Sequence, residues 1–236
     1  MDTCLEIGEV IGERFQVHGF LGSGWEGEVY LVKEITTGID RTAKIFFPER
    51  NRRNQAAISH ARKLHRIRVS NSLVQYLFQD HLFVKDQKLT CLIYEYIQGE
   101  VLDVYLSRQK FKKLPIFEAL HIVHCIARGL APLHRMGEYH GDLHSSNIMI
   151  RRKGINFDIK MLDPFDWKDN KTLNIRKDVT DLIRILYDLC GGQRYYSSLP
   201  PEIKGICCGL KHSLILKKFP NADKLLLYLD NFEWSH

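Results

Sequence analysis

The sequence has no cysteine pattern that would predict a metal centre or a disulfide framework. Its cysteines are scattered along the 236 residues, and none forms a CxxC pair. Cys207 and Cys208 are adjacent, which is poor geometry for a bridge between them. We therefore expect reduced and mostly buried thiols, as in a cytosolic protein. The cysteines are Cys4, Cys91, Cys125, Cys190, Cys207 and Cys208.

Long apolar segments are also missing. No apolar run approaches the roughly 18 residues that a membrane-spanning helix needs, so we expect no membrane span. Residues 1–15 contain early acids and no apolar core, so a signal peptide is not expected. Together with the thiol pattern, these features lead us to expect a cytoplasmic protein.

Repeats, low-complexity tracts and Pro/Gly/Ser-rich linkers are absent too. The length suits one large domain or two small lobes. The character of the sequence changes near residues 97–100, from strand-like to helical, without a linker. We therefore predict a single domain with an N-lobe at 1–97 and a C-lobe at 98–236, joined by a hinge.

Charge is present in modest excess, and apolar content is ordinary. The formal net charge is +6, which mildly favours an anionic ligand but does not imply nucleic acid. Short β-branched or aromatic-rich segments predict strands, and apolar residues at helical spacing predict helices. The predicted strands cover residues 14–24, 27–37, 40–47, 72–80 and 88–97, the predicted helices cover 50–68, 116–134, 178–192 and 221–232, and a hairpin is predicted at 147–162.

The stretch YHGDLHSSNIMI, residues 139–150, allows two interpretations. His140 and His144 are four residues apart, which on a helix would place both rings on one face, as in helical zinc motifs. The same stretch contains Asp142 and Asn147 and ends in an apolar run, which favours a loop that enters a strand. Taken alone, it leaves a metal site and a phosphoryl-transfer loop open.

A glycine-rich segment favours the second interpretation. Gly22, Gly24, Gly27 and Val29 form a GxGxxGxV pattern, whose glycines can bring backbone N–H groups close to phosphates. Predicted strands flank it on both sides, whereas dinucleotide-binding loops need a helix after the glycines. Lys44 follows on an apolar strand, where it could neutralise phosphate charge.

These motifs, in this order, resemble the protein-kinase superfamily from about residue 14 to 230. The resemblance implies an α+β, bilobal fold with a small antiparallel sheet lobe, a helical lobe, and ATP and Mg²⁺ bound between them. Asp142 would accept the proton of the attacking hydroxyl, and Asn147 would hold magnesium. Asp163, in a DPF version of the DFG segment, would bind the metal. Asp178 would brace the catalytic loop.

The resemblance also implies a nucleotide site and assigns its residues by position. The main chain from Glu95 to Ile97 would hydrogen-bond adenine. The implied ATP-binding residues are Gly22, Ser23, Gly24, Gly27, Val29, Ala43, Lys44, Glu95, Ile97 and Met149, of which Val29, Ala43 and Met149 would sandwich the base. The implied catalytic residues are Asp142, Lys44 and Asn147, and the implied metal ligands are Asn147 and Asp163.

The sequence departs from the family pattern at the helix after Lys44. A protein kinase supplies a glutamate there to hold the lysine, yet residues 50–79 contain no acid. Glu49 could substitute, or Lys44 could pair with Asp163. The absent helix glutamate leaves open an ATP-binding pseudokinase scaffold that does not turn over.

Two further departures concern regulation. The HRD motif has become His140-Gly141-Asp142, without the arginine that would grip a phosphorylated activation loop. The interval from Asp163 to Asp178 is too short for an activation loop and a peptide platform. We therefore predict a truncated activation segment that is not switched by phosphorylation.

The catalytic-loop sequence favours a different class of substrate from the one that the glycine-rich segment and the hinge favour. HGDLHxxN is more similar to aminoglycoside and choline kinases, with His144 where protein kinases carry a lysine. His140 would be a buried hydrogen-bonding residue, which disfavours the metal site. Our first interpretation is a Ser/Thr protein kinase-like enzyme that recognises its target by docking. The alternative enzyme is a small-molecule kinase.

The predicted helix at 50–68 carries many lysines and arginines. It could be an ordinary solvated face or a docking surface for an acidic partner. Aromatic residues do not interleave it, so we expect no nucleic acid there.

Overall fold

The computed structural model describes residues 5–84 and 87–233. Within them the chain divides into two compact units, each with its own hydrophobic core. Unit 1 contains the chain up to Arg66 together with Val74–Ile97. Unit 2 contains Ile67–Leu73 together with the chain from Gln98 onward.

Unit 1 is built on an antiparallel sheet. Its described strands are β1 (Val10–Ile11), β2 (Phe15–Ser23), β3 (Gly27–Glu34), β4 (Asp40–Phe46), β5 (Tyr76–Val84) and β6 (Gln87–Glu95). They lie in the order β1-β2-β3-β4-β6-β5. Alternate side chains of β2 and β3, such as Phe15, Val17, Tyr30 and Val32, are buried, as period-two strands require.

Most of the predicted strands are confirmed, and one is displaced along the chain. The strand expected at 72–80 forms as β5 and begins at Tyr76. The first two residues of the predicted segment, up to Leu73, belong to unit 2, where Leu73 forms an isolated parallel bridge with Met161. That pairing keeps the start of the predicted segment out of the sheet of unit 1.

The predicted basic helix is shorter than expected. Helix α1 spans Gln55–Ile67 and follows a short 3₁₀ turn. Arg53 and Asn54 have φ values of 51° and 61°, in the left-handed region that an α-helix cannot contain. The Asn51 side chain accepts a hydrogen bond from the Ala57 amide at 3.1 Å and so helps to define the start of the helix.

Unit 2 is mainly helical and contains a small antiparallel sheet. Its helices are α2 (Leu102–Ser107), α3 (Ile116–Arg135), α4 (Lys171–Leu189), α5 (Gly192–Tyr195), α6 (Pro201–Cys207), α7 (His212–Lys218) and α8 (Ala222–Asp230). Its described strands are β7 (Glu100–Val101), β8 (Ile148–Lys153) and β9 (Asn156–Met161), in the order β7-β8-β9. The predicted hairpin at 147–162 is confirmed as β8 and β9, and an α+β fold results.

Helix α3 forms the centre of the unit 2 core. The residues predicted to share one face are all buried. By length and composition alone this helix could cross a membrane, with a mean hydropathy of 1.3 in its most apolar window. Since 56% of that window is buried inside the fold, the feature is weak evidence for a span. The predicted face comprises Leu120, Val123, Ala127, Leu130 and Leu133.

Helix α4 begins earlier than the predicted 178–192. The Asn170 side chain caps its first turn by accepting hydrogen bonds from the amides of Thr172 at 2.9 Å and Leu173 at 3.3 Å. The cap moves the start of the helix to Lys171. The non-helical connection between β9 and α4 is therefore even shorter than the sequence suggested.

The described cysteines are free thiols, as expected. Cys91, Cys190 and Cys207 are buried, and Cys125 and Cys208 are partly buried. Burial raises the pKa of Cys190 and of Cys207 to about 12, so both thiols stay protonated at neutral pH. Cys4 lies outside the described residues.

Candidate functional site

In unit 1, the glycine-rich segment forms the turn between β2 and β3. Gly22 and Ser23 end β2, and the amide of Gly24 donates to the carbonyl of Gly27 at 2.9 Å. A Cβ atom on Gly27 would lie 1.9 Å from the Ile45 carbonyl oxygen. Only glycine therefore allows β3 to approach β4 at this point.

Lys44 lies on β4 and is largely buried. The sequence Ala43 to Phe46 is buried at every position, so both faces of this strand are covered. The Lys44 Nζ atom lies 3.0 Å from the Glu26 Oε2 atom. Glu26 was not among the partners predicted for Lys44, which were Glu49 and Asp163.

The strand register corrects one of the predicted base contacts. Val29 pairs directly with Lys44, and Tyr30 pairs with Ala43. Directly paired residues share a face and neighbours along a strand alternate, so Ala43 lies on the opposite face from Val29. Ala43 is fully buried in the unit 1 core. Thr42 is the β4 residue that shares the face of Val29 and Lys44. The base contact predicted for Ala43 is therefore wrong by one residue.

The predicted adenine-binding strand end is well ordered by its own hydrogen bonds. Glu95 ends β6, and its Oε1 atom accepts a hydrogen bond from the Gln75 amide at 2.9 Å. The Glu95 amide donates to the Gln75 carbonyl at 3.1 Å. Ile97 follows at the end of unit 1, and Met149 lies on β8 of unit 2.

In unit 2, a buried carboxylate holds the predicted catalytic loop. Asp178 is fully buried on α4 and accepts hydrogen bonds from the amides of His140 at 2.6 Å and Gly141 at 2.8 Å. It also lies 3.2 Å from Nε2 of His134. Burial raises the pKa of Asp178, but the hydrogen bonds that it accepts, from His134 and from the Gly141 amide among others, outweigh burial and lower the pKa overall. The predicted bracing role is confirmed.

His140 is a structural residue whose ring nitrogens are both engaged. Its Nε2 atom lies 2.8 Å from the Leu162 carbonyl and must donate to it. Its Nδ1 atom accepts from the Asp142 amide at 3.3 Å. With one nitrogen donating and the other accepting, the imidazole has no lone pair left for a metal. These contacts argue against a zinc site at His140 and His144.

Asp142 and Asn147 lie side by side, as the motif predicts. The Asn147 Nδ2 atom donates to the Asp142 carbonyl at 3.0 Å and to the Asp142 Oδ2 atom at 3.1 Å. His144 Nε2 lies 3.5 Å from the same Oδ2. Both described side-chain contacts fall on Oδ2, so Oδ1 is the oxygen that these contacts leave available to accept a proton.

The β8–β9 hairpin brings Asn147 and Asp163 to the same end of unit 2. Ile148 pairs with Met161, and the Leu162 amide donates to the Asn147 carbonyl at 2.8 Å. Since Asn147 uses its amide nitrogen on Asp142, its side-chain oxygen is the atom left for a cation. A carboxamide oxygen and a carboxylate are ligands that Mg²⁺ accepts alongside phosphate and water.

Asp163 has an unusual backbone conformation. Its φ is 47°, in the left-handed region, although it precedes Pro164, which favours extended backbone in the preceding residue. Non-glycine residues held in this region cluster at functional sites. The conformation therefore marks Asp163 as a residue whose direction is fixed by its surroundings.

The segment after Asp163 is fastened to the catalytic loop. The Phe165 amide donates to the His140 carbonyl at 2.9 Å, and Trp167 Nε1 donates to the Gly141 carbonyl at 2.8 Å. Gly141 has φ of 91°, and a Cβ atom there would lie 2.5 Å from the Phe165 carbonyl oxygen. The glycine that replaces the family arginine is therefore required by this close approach.

Removing the brace is expected to destabilise unit 2. Asp178→Ala takes one acceptor from two backbone amides and from His134, and breaking a buried charged contact costs about 3–5 kcal/mol. Chemical denaturation measures the free energy of unfolding. Asp158→Asn serves as a control, with a loss within about 1 kcal/mol, because its ion pairs with Arg151 and Lys153 are exposed. An Asp178→Ala loss no larger than that of the control contradicts the brace.

A protein kinase domain model matches residues 15–196. The chain is similar to KEOPS complex subunit Bud32 of Pyrococcus abyssi, with 29% identity over 146 residues, 57% of this chain and 62% of that protein. It is also similar to serine/threonine-protein kinase pkn2 of Myxococcus xanthus, with 27% identity over 154 residues, 65% of this chain and 18% of that protein. The chain thus spans less than two thirds of the length of these relatives.

A solved structure shares the fold. A double mutant of the Mycobacterium tuberculosis PknI kinase domain superposes with a TM-score of 0.69 at 15% identity, covering 96% of this chain and 98% of that one. At this identity the likeness concerns the fold alone, and it agrees with the α+β architecture of the two units.

Proposed function

This chain belongs to the protein kinase family, and from that premise we propose that it transfers the γ-phosphoryl group of ATP to a hydroxyl group, with Mg²⁺ as cofactor. The observation that carries the proposal is the arrangement of the catalytic loop. Asp142 and Asn147 are hydrogen-bonded to each other at 3.1 Å on a loop that the buried Asp178 fixes. Such a loop has the parts needed to orient a hydroxyl and to hold a metal.

Each unit, taken by itself, has its own proposed roles. In unit 1, the glycine-rich turn and Lys44 would bind the phosphates, and Val29 and Thr42 would flank the base. In unit 2, Asn147 and Asp163 would hold Mg²⁺, which when bound neutralises phosphate charge. Asp142 would orient the acceptor hydroxyl and take its proton.

We propose a Ser/Thr residue of a protein target as the acceptor, recognised by docking rather than by its local sequence. Support comes from the short connection between β9 and α4, which offers little chain for a peptide-binding platform. A small molecule is the second candidate acceptor. His144, beside Asp142 at 3.5 Å, stands where protein kinases use lysine and supports that alternative.

The basic surface of α1 and its N-terminal turn is the proposed docking site for an acidic partner. Arg52, Arg53 and Arg62 are exposed there. Their long side chains would attract acidic groups and steer association, with a strong dependence on salt. One relative, the Pyrococcus abyssi protein, is described as a subunit of a complex, and this is consistent with a partner-dependent kinase.

The acceptor class can be tested with a lysate. The protein is incubated with labelled ATP and Mg²⁺, and the products are separated into protein and small-molecule fractions. We expect label in a protein band distinct from the enzyme. Label confined to small molecules would replace the protein acceptor with the second candidate. Binding of ATP without label in either fraction would favour a scaffold.

Thr172→Ala is expected to leave activity within about twofold of wild type. Thr172 is exposed in the first turn of α4 and is the only hydroxyl residue between Asp163 and Asp178. A phosphate-driven switch needs a segment with two ordered states, and the short segment is already fastened to Gly141.

The Thr172→Ala variant is assayed on the substrate found above, beside a library of short peptides. Free peptides should be poor substrates, because the segment that reads residues around a target serine is missing. Loss of activity in the variant, or efficient sequence-specific phosphorylation of peptides, contradicts the proposed truncated segment.

A further inference from the structure

The first helix of unit 1 cannot hold Lys44 in the way that the family's helix does. Residues 50–79 contain no aspartate or glutamate, so α1 has no carboxylate to offer. A lysine that is 8% exposed in its side chain nevertheless needs charged or polar partners, since desolvation of an ammonium is costly. The turn between β2 and β3 supplies one such partner.

Glu26 is that partner, and its position is built into the turn. Its Oε2 atom lies 3.0 Å from Lys44 Nζ, and its own side chain is 29% exposed. The Glu26 carbonyl accepts from the Phe47 amide at 2.9 Å. Gly27, next to it, tolerates no side chain because of the Ile45 carbonyl. The backbone at Glu26 and Gly27 is thus held against the end of β4.

We propose that Glu26 is the positioning residue that orients Lys44 for phosphate, in the role that a helix glutamate has in other kinases. This inference rests on the proposed function. An ammonium group has three donors, so a bond to Glu26 is compatible with further bonds to phosphate oxygens. A charge-assisted bond of this kind fixes the direction of a flexible four-carbon chain.

The position of Glu26 has a consequence for regulation. Glu26 lies between Gly24 and Gly27, so the same turn that covers the phosphates also orients the lysine. Orientation of Lys44 then needs no movement of α1, which is the movement that controls activity when the glutamate is on the helix. Helix α1 therefore has no part in orienting Lys44, and its exposed side chains are available to form the basic surface.

A double-mutant cycle without nucleotide tests the pair directly. Glu26→Gln, Lys44→Met and the double variant are unfolded with denaturant. We expect each single change to destabilise the protein and the effects to be non-additive, with a coupling of about tenfold or more in the unfolding equilibrium constant. If the effects of the two single changes on the unfolding equilibrium constant combine without coupling, to within about twofold, the proposed pair is wrong.

A second pair in the same sheet gives a matched control. Lys33 and Asp40 lie on β3 and β4 with 3.8 Å between their charged atoms, and their side chains are 42% and 46% exposed. The cycle of Lys33→Met with Asp40→Asn should show a coupling below about threefold, because exposed pairs are screened by water and salt. Equal coupling in the two cycles contradicts a specific role for Glu26.

Kinetics separate positioning from a merely structural role. Glu26→Gln should lower kcat/KM for ATP by about 10- to 100-fold, and Glu26→Asp should recover part of it. A lower KM for ATP in Glu26→Gln would mean that the carboxylate competes with phosphate, which overturns the proposal. If the wild-type protein transfers no phosphoryl group but Glu26 and Lys44 are still coupled in stability, only the proposed function is wrong. If the wild-type protein is active but the effects of the Glu26 and Lys44 changes on stability are additive, only the role of Glu26 is wrong.

Discussion

Asp142→Asn is expected to reduce phosphoryl transfer by about 10²–10⁴-fold, the usual contribution of a general base. The amide keeps the size of the side chain but cannot take a proton from the acceptor hydroxyl. Affinity for ATP should stay within about twofold, because Asp142 lies on the loop that would orient the acceptor, beside Asn147 and His144. Steady-state kinetics and calorimetry measure the two quantities.

The fold of the Asp142→Asn variant is checked by denaturation. An amide at this position can still accept the Asn147 hydrogen bond, so stability should change by less than about 1 kcal/mol. Ser146→Ala, in the same turn, is the control for nonspecific damage to the loop and should retain most activity. Turnover of Asp142→Asn close to that of wild type would disprove its role as the base.

Asp163→Ala is expected to weaken ATP binding by about 10- to 100-fold when Mg²⁺ is present and by less than about twofold when it is absent. In the proposed role the carboxylate would act on the nucleotide only through the ion, so its removal should matter only when the ion is bound. The backbone of Asp163 is held at φ of 47°, in the left-handed region where non-glycine residues cluster at functional sites. Titration calorimetry with and without Mg²⁺ gives both affinities.

Lys44→Ala provides the contrast to Asp163→Ala. Lys44 would oppose phosphate charge directly, so its removal should weaken binding in both conditions. Lys33→Ala, an exposed lysine on the neighbouring strand, should change affinity by less than about twofold and serves as the control. An equal loss with and without Mg²⁺ for Asp163→Ala would show that this carboxylate does not act through a metal.

Several features could be predicted from sequence because they depend on local pattern. The strands around the glycine-rich turn, the long helix α3 and the β8–β9 hairpin all follow from apolar periodicity and turn residues. The brace at Asp178 followed from the spacing of the family motif. Its contacts with His140 and Gly141 match that expectation.

Features that depend on backbone conformation could not be predicted in this way. Helix α1 starts late because Arg53 and Asn54 adopt positive φ, and helix α4 starts early because Asn170 caps it. The face of Ala43 was misassigned because a one-residue shift in a motif reverses every side chain of a strand.

Glu26 was missed because its contact with Lys44 depends on the shape of a turn and on the register of two strands. Sequence offers one signal that could have identified it. An acid stands inside the glycine-rich segment of a chain whose following helix has none. That combination is a specific search criterion for other kinase domains.

The most direct test of the proposed phosphotransferase compares ATP labelled on its γ-phosphate with ATP labelled on its α-phosphate. Each is incubated with the wild-type protein, Mg²⁺ and a lysate, and incorporated label is counted. The proposed chemistry predicts that γ-label reaches an acceptor and that α-label does not. Asp142→Asn, or removal of Mg²⁺ by a chelator, should reduce the transfer to the background of the lysate without added protein. Transfer of α-label, or γ-label incorporation that persists in Asp142→Asn, would contradict it.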